Sequence, residues 1–191
     1  MTSTELLHYA GWAAYLSAGA TIISFVTGFL FFSKGQPFGT MNDTASVFQV
    51  LFMVPVALVL HRLFGPNAQM LSLLAAAVGI VGMLVAAAVQ ALLVLGQLTF
   101  EQTVRPVFTA GGAIAIWLLL TGYLALTSSM LPGGLGWLGL LAGAGYVLMV
   151  IGFWLGEQKH PLFIIGSFAV GVAYPIWAIW LGRLLVSGRL A

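Results

Sequence analysis

Long apolar runs, broken at a few short polar clusters, dominate this chain. The runs do not alternate with polar residues, and each extends over about twenty residues. A run of roughly 18 or more apolar residues with few charges reads as a bilayer span. The backbone must then satisfy its hydrogen bonds within each segment, which makes α-helices the expected form. A transmembrane β-barrel requires alternating segments of roughly ten residues, and the pattern is not of that kind. Cutting at charges, prolines and turn clusters predicts about six spans, over 9–32, 44–64, 68–98, 107–127, 135–156 and 161–186. The expected fold class is therefore all-α, a polytopic transmembrane helical bundle forming a single domain over residues 1–191.

The joints between spans have recognisable chemistry. Lys34, Gly35, Gln36 and Pro37 end the first span, and Gly65, Pro66 and Asn67 break the second from the third. Asn42, Asp43 and Thr44 read as an N-cap for the second span, because short oxygen side chains satisfy free N–H groups at a helix start. Residues 100–106 read as a short charged loop. No internal repeat stands out. Pro55 and Pro175 lie in the second and sixth spans, whereas an inverted three-plus-three repeat would pair the second with the fifth.

Composition sharpens this class and excludes others. Of 191 residues, 61% are hydrophobic and 5% charged, against roughly 25% charged in soluble domains. There is no cysteine, which removes disulfides, thiolate metal sites, cysteine nucleophiles and palmitoylation. The net charge of +2 comes without a basic cluster, so no nucleic-acid partner is expected. The N-terminus lacks the positive region of a signal peptide, and the small residues Ser17, Ala18, Gly19 and Ala20 sit inside a run that continues to Phe32. An uncleaved helix is expected.

The most informative chemistry is an absence. No Asp, Glu, Lys or Arg lies in the middle of any predicted span. Intramembrane charges mark proton relays, ion pathways and catalytic dyads. Their absence argues against a proton-coupled transporter, an aspartyl intramembrane protease and a carboxylate metalloenzyme. His8, His61 and His160 all fall near span ends. A bis-histidine haem or metal site from His8 and His61 is conceivable, but interfacial histidine is the favoured reading and no metal site is expected. The cofactor remains open.

Several features suit packing or a ligand. Ala10, Ala14, Ser17, Thr21, Ser24 and Gly28 alternate four and three apart and so share one face of the first span. They read as a helix–helix seam, in preference to a polar wall lining a site. Gly139 and Gly143 form a GxxxG pair, as do Gly152 and Gly156. A mid-helix proline frees the carbonyl four residues earlier, here those of Leu51 and Gly171. Aromatics flank both prolines, so Gln49, Phe52, Pro55, Tyr174, Pro175 and Trp177 are the expected ligand-pocket residues. Gln90 joins them as a deep amide that needs a partner. Acid–base neighbours Lys34 with Asp43, Glu101 with Arg105, and Glu157 with Lys159 fall together on the side away from the termini.

The fifth and sixth spans carry Leu131-Pro132, then Trp137-Leu138-Gly139-Leu140-Leu141, then Ile179-Trp180-Leu181 leading to Gly188. In these segments the chain resembles an uncharacterised bacterial family of six-helix integral membrane proteins, a domain of unknown function. The resemblance implies no activity, and it implies a bacterial inner membrane. That family often carries an acidic residue in its last helix, where residues 174–180 here are uncharged. The termini side holds Arg62, Arg183 and Arg189 and the other side Lys34, Arg105 and Lys159, a tie under the positive-inside rule. The clustered C-terminal pair tips the expectation towards cytoplasmic termini.

Three functions fit. The favoured one is a non-enzymatic membrane protein, either an accessory subunit of a larger complex or a binder of lipid or another apolar ligand. Its partners would be membrane lipids, with a membrane-protein partner or a homo-oligomer as further options. The second is a small-molecule or ion transporter or channel, to which the two prolines point. The third is an enzyme on a lipid-soluble substrate, for which Glu101, Glu157, His160 and Tyr174 are the candidates; the reading leans against it.

Overall fold

The apolar runs are helices, and the polar clusters between them are where the helices end. The computed structural model describes residues 3–188. It comprises α1 (Ser3–Lys34), α2 (Phe38–Val94), α3 (Phe100–Thr127), α4 (Gly133–Gly156), a 3₁₀ turn (Glu157–Lys159) and α5 (Pro161–Val186). No strand occurs among the described residues. Five helices are long and apolar enough to cross a membrane, which marks the chain as an integral membrane protein.

Six spans were expected and five helices are found; the difference lies in α2. It runs for 57 residues, about 85 Å if straight, whereas a bilayer core is about 30 Å thick. At Ala68 the backbone leaves helical geometry, with φ −153° and ψ 57°, two residues after Pro66. His61 Nδ1 lies 3.1 Å from Ser72 Oγ. Eleven residues along a straight helix would separate them by about 16 Å, so the chain turns back on itself at Ala68. The predicted break at residues 65–67 is thus a sharp reversal with almost no loop.

Two other expected boundaries are corrected. Asn42, Asp43 and Thr44 do not cap a helix; α2 is already under way at Phe38, and Gln36 Oε1 accepts from Thr40 N. Residues 100–106 are not a loop either. Thr99 and Gln102 form a reciprocal capping box that starts α3 at Phe100. Gly35 (φ 72°) and Gly96 (φ 70°) end the rising helices in the left-handed conformation that glycine adopts without steric cost.

Each helix packs on its neighbour in sequence, and α5 closes back on α1, so the helices form a ring. Glycines set how closely they approach. A Cβ on Gly11 would stand 3.0 Å from the Gly182 carbonyl, and one on Gly122 2.8 Å from the Gly136 carbonyl. A Cβ on Gly139 would stand 3.2 Å from Gly122 Cα, and one on Gly143 2.8 Å from Leu119 Cγ. Gly152 backs onto the backbone of Phe163.

Towards the termini the ring is filled. Trp117, Trp177, Tyr174, Phe64, Met53 and Leu60 are almost wholly buried there. Trp117 and Trp177 meet edge to face at 5.9 Å, and Tyr174 lies 5.8 Å from Trp177. The outer surface is apolar, with Tyr9, Trp12, Tyr123 and Trp137 exposed towards the termini side and Phe32, Phe100 and Trp154 towards the other. Aromatic side chains are enriched at the two membrane interfaces. Arg105 lies over the ring of Trp154 at 5.8 Å. Arg189 falls outside the described residues.

Candidate functional site

Above the packed half the ring is hollow. A chamber of about 920 Å³ lies between the helices on the side away from the termini, walled by every helix. Its residues come from the upper parts of α1 (Thr21, Ser24, Gly28), both legs of α2 (Asn42, Ser46, Gln49; Ala86, Gln90), α3 (Phe108, Gly111), α4 (Tyr146, Val150) and α5 (Phe163, Ser167, Gly171). The volume falls within the roughly 300–1,000 Å³ of typical small-molecule sites.

One wall is polar. Asn42 Nδ2 donates to the Ser24 carbonyl at 2.7 Å and to Ser24 Oγ at 3.0 Å. Ser24 Oγ and Ser46 Oγ are 2.8 Å apart. Asn42, Ser46 and Gln49 recur four and three residues apart, which puts them on one face of α2, opposite the Thr21, Ser24 and Gly28 face of α1. The other wall is aromatic. Phe108 stacks on Phe153 at 4.4 Å and meets Phe163 edge to face at 5.3 Å.

A chain of neutral hydrogen bonds forms the floor. Ser17 Oγ donates to the Gln49 carbonyl at 3.0 Å. Its single proton is thereby committed, so the 2.6 Å contact with Tyr174 has the phenol O–H donating to Ser17 Oγ. Gln49 Nε2 donates to Tyr146 OH at 3.1 Å across the ring from α2 to α4. Among the described residues, no fully buried side-chain polar atom lacks a partner below this level. Above it, Gln90 Oε1 is buried with no partner, and the Tyr146 hydroxyl accepts from Gln49 but has no acceptor for its own proton among the described residues.

Charge is confined to the rim. Asp43 near the start of α2, and Glu157 and Lys159 in the 3₁₀ turn, are the charged residues lining the chamber. Glu157 adopts φ 56° and ψ −150°, a region that is essentially glycine's own and costs other residues on the order of 1–3 kcal/mol. Between α1 and α5, Phe25 sits against Gly171 and meets Phe168 at 5.5 Å. Beyond that contact, Phe29 and Phe32 of α1 and Ile164 of α5 line the chamber and yet remain 66%, 69% and 47% exposed.

The expected pocket residues divide. Gln49 and Gln90 line the chamber, and Tyr174 supports its floor. Phe52, Pro55, Pro175 and Trp177 do not line it. Phe52 stacks on Phe48 at 6.2 Å, and Pro175 and Trp177 are buried in the packed half. The space is therefore not between the two proline bends, where large side chains fill the ring. One expected consequence of proline does reach it: Gly171, whose carbonyl Pro175 deprives of its helical donor, is on the chamber wall. The small-residue stripe of α1 divides as well. Ala10, Ala14 and Ser17 are buried in packing, whereas Thr21, Ser24 and Gly28 face the chamber.

Asn42 lines the chamber in place of the cap expected of it, and Ser46, Tyr146, Gly111 and Ser167 are chamber residues without an expectation from the sequence. The i, i+4, i+7 spacing of Asn42, Ser46 and Gln49 is the signal that places the first two on the face of Gln49. The histidines have local partners. His8 Nε2 accepts from Trp12, His61 meets Ser72, and His160 Nδ1 accepts from Leu162 N to cap α5. Among the described residues, no group of three or more His, Cys, Asp or Glu is placed to hold a metal.

Residues 107–183 match a domain of unknown function, DUF4386. This agrees with the resemblance to an uncharacterised family. The matched segment covers most of α3, all of α4 and most of α5, hence the aromatic wall and Tyr146 but not the polar wall of α1 and α2. No curated protein and no solved structure matches the chain.

Proposed function

We propose that this protein is a non-enzymatic binder of a lipid-like amphiphile, held in the chamber between its helices. The observation that carries this is the chamber itself: about 920 Å³, polar on one wall, aromatic on the other and uncharged below its rim. A ligand that is partly apolar and partly polar matches both walls. The exposed Phe29, Phe32 and Ile164 support a side entrance between α1 and α5, through which a molecule already dissolved in the bilayer reaches the chamber without crossing water. The lack of convergent charged groups in the interior supports binding over proton-coupled transport or hydrolysis.

The test uses Gly111, where an added side chain meets Val150 and Tyr146 only at 3.8 and 3.9 Å and so projects into the chamber. Wild-type protein in lipid nanodiscs is expected to retain a bound lipid-like molecule in native mass spectrometry, and Gly111→Leu to lose most of it. Equal retention by the two proteins would sink the reading.

The reversal at Ala68 supports six crossings with both termini on one face; the Arg183 and Arg189 pair supports that face being the cytoplasmic one. Because the chain has no cysteine, single cysteines report this cleanly. Gln97→Cys should react with an impermeant maleimide from the opposite side to Ser187→Cys; labelling of both from one side would contradict it.

A further inference from the structure

The contact between α1 and α5 changes character along its length. At the termini end, a Cβ on Gly182 would stand 2.9 Å from the Gly11 carbonyl oxygen. Further up, Ser17 Oγ and Tyr174 OH are 2.6 Å apart. At the next level the Phe25 ring covers Gly171 so closely that a Cβ there has no room. Above Phe25, Phe29 and Phe32 of α1 and Ile164 of α5 line the chamber and remain exposed. From this order of contacts we infer that the chamber takes its lipid only from the leaflet away from the termini, and returns it there without passing it across the membrane. This rests on the lipid-binding reading above and adds which pool of lipid the site serves.

The depth of the chamber fits one leaflet. Gly171, its deepest residue on α5, lies ten residues after Pro161, about 15 Å along the helix. Thr21, its deepest on α1, lies thirteen residues before Lys34, about 20 Å. Half of a bilayer core is about 15 Å thick. An acyl chain that enters from the rim therefore ends near the floor, at the level of the midplane. The charged residues lining the chamber, Asp43, Glu157 and Lys159, stand at its mouth, at the height of that leaflet's headgroups.

The way to the second leaflet is closed. The floor bonds join Ser17 of α1 to α2 and α5, and Gln49 of α2 to Tyr146 of α4. Beneath them Trp117, Trp177 and Tyr174 are each 1% exposed and fill the ring. A headgroup crossing this layer would have to pass an apolar, packed interior without a charged partner, which is costly. Below the floor α1 and α5 meet almost backbone to backbone at Gly11 and Gly182, so a lateral opening exists in the upper leaflet alone.

Leaflet-selective labelling tests this. The full chain carrying Ser187→Cys is reconstituted in both orientations into vesicles of phosphatidylethanolamine and phosphatidylglycerol. Phosphatidylcholine with a diazirine in one acyl chain is loaded into the outer leaflet by cyclodextrin exchange. After photolysis, molecules with their termini outside are captured through an impermeant biotin maleimide, and label at Tyr146 and Ser167 of the chamber is read by mass spectrometry in both fractions. Molecules with their termini inside are expected to carry at least tenfold more chamber label than the captured ones. With the probe in both leaflets the two fractions should label equally. Equal or reversed labelling from the outer leaflet, labelling that needs the probe in both leaflets, or loss of the probe's asymmetry faster than in protein-free vesicles would overturn the leaflet assignment and leave lipid binding standing. If neither fraction is labelled with the probe in both leaflets, the lipid-binding reading falls as well.

Discussion

The two halves of this ring are built from the same helices and differ in what those helices turn inward. Towards the termini, α3 and α5 contribute Trp117, Trp177 and Tyr174, and α2 contributes Met53, Leu60 and Phe64. Away from the termini the same helices turn in Gly111, Gly171, Ser167, Ser46 and Gln49. Glycine contacts draw neighbouring helices together in both halves, at Gly11 with Gly182 and at Gly152 with Phe163. Helix spacing therefore does not create the chamber; side-chain volume at the centre of the ring does. In a bilayer, where lipid tails solvate apolar side chains as well as other side chains do, tight packing rather than hydrophobicity holds helices together. One half supplies that packing, which lets the other remain open.

The difference can be broken most strongly from the filled side. Trp177→Ala removes a side chain buried to 1% exposure against Trp117 and Tyr174. It should destabilise the fold by on the order of 3–5 kcal/mol, read as a large fall in midpoint in a detergent-resistant unfolding assay. Next comes a change of opposite sign in the hollow half. Gln90→Leu removes a buried, unpartnered oxygen and should stabilise the ligand-free protein by roughly 1–3 kcal/mol; a lower midpoint would show that Gln90 already has a protein partner.

A smaller effect tests the floor between the halves. Tyr174→Phe deletes the hydrogen bond to Ser17 and should cost about 0.6 kcal/mol, the average for interhelical bonds in membranes. A loss of several kcal/mol would mean that the floor holds the ring together. The smallest expected shift belongs to Gly111→Leu, which fills space in place of removing contacts and should change stability by less than about 0.5 kcal/mol, even as it displaces ligand. A large destabilisation there would mean that the upper half is as tightly packed as the lower.

Much of the fold was legible in the sequence, because the polar clusters that end helices are local. The break near Pro66 follows from local composition, and the spacing of the small residues on α1 and α4 says which of them share a face. The errors came from features that look alike locally. Asn42 has the composition of a cap and is an interior helical residue, since the helix is started earlier, beside Gln36. Pro106 resembles a loop residue, but the Thr99–Gln102 box begins α3 before it.

The candidate site was less legible for a different reason. Periodicity shows which face of a helix turns inward, and not whether what it meets there is another side chain or empty space. Thr21 and Ser17 belong to one stripe, yet Ser17 is locked into the floor and Thr21 borders the chamber. Only the sum of volumes around the ring distinguishes them. Aromatic residues beside a proline bend suggest an enclosure, whereas Trp177 and Tyr174 are themselves the filling.

The closure of α5 on α1 has a mechanical consequence. Every other pair of neighbours along the ring is joined by a short covalent connection, from the single non-helical residue Ala68 to the segment between α2 and α3. The first and last helices meet without one. Their lower stretch is clasped by Gly11 against Gly182, while their upper stretch carries the exposed Phe29 and Ile164. The ring therefore resembles a hoop with one cut, pinned at the bottom of the cut. Parting its upper edge stretches no loop, and the Phe25–Phe168 pair is among the contacts it must break.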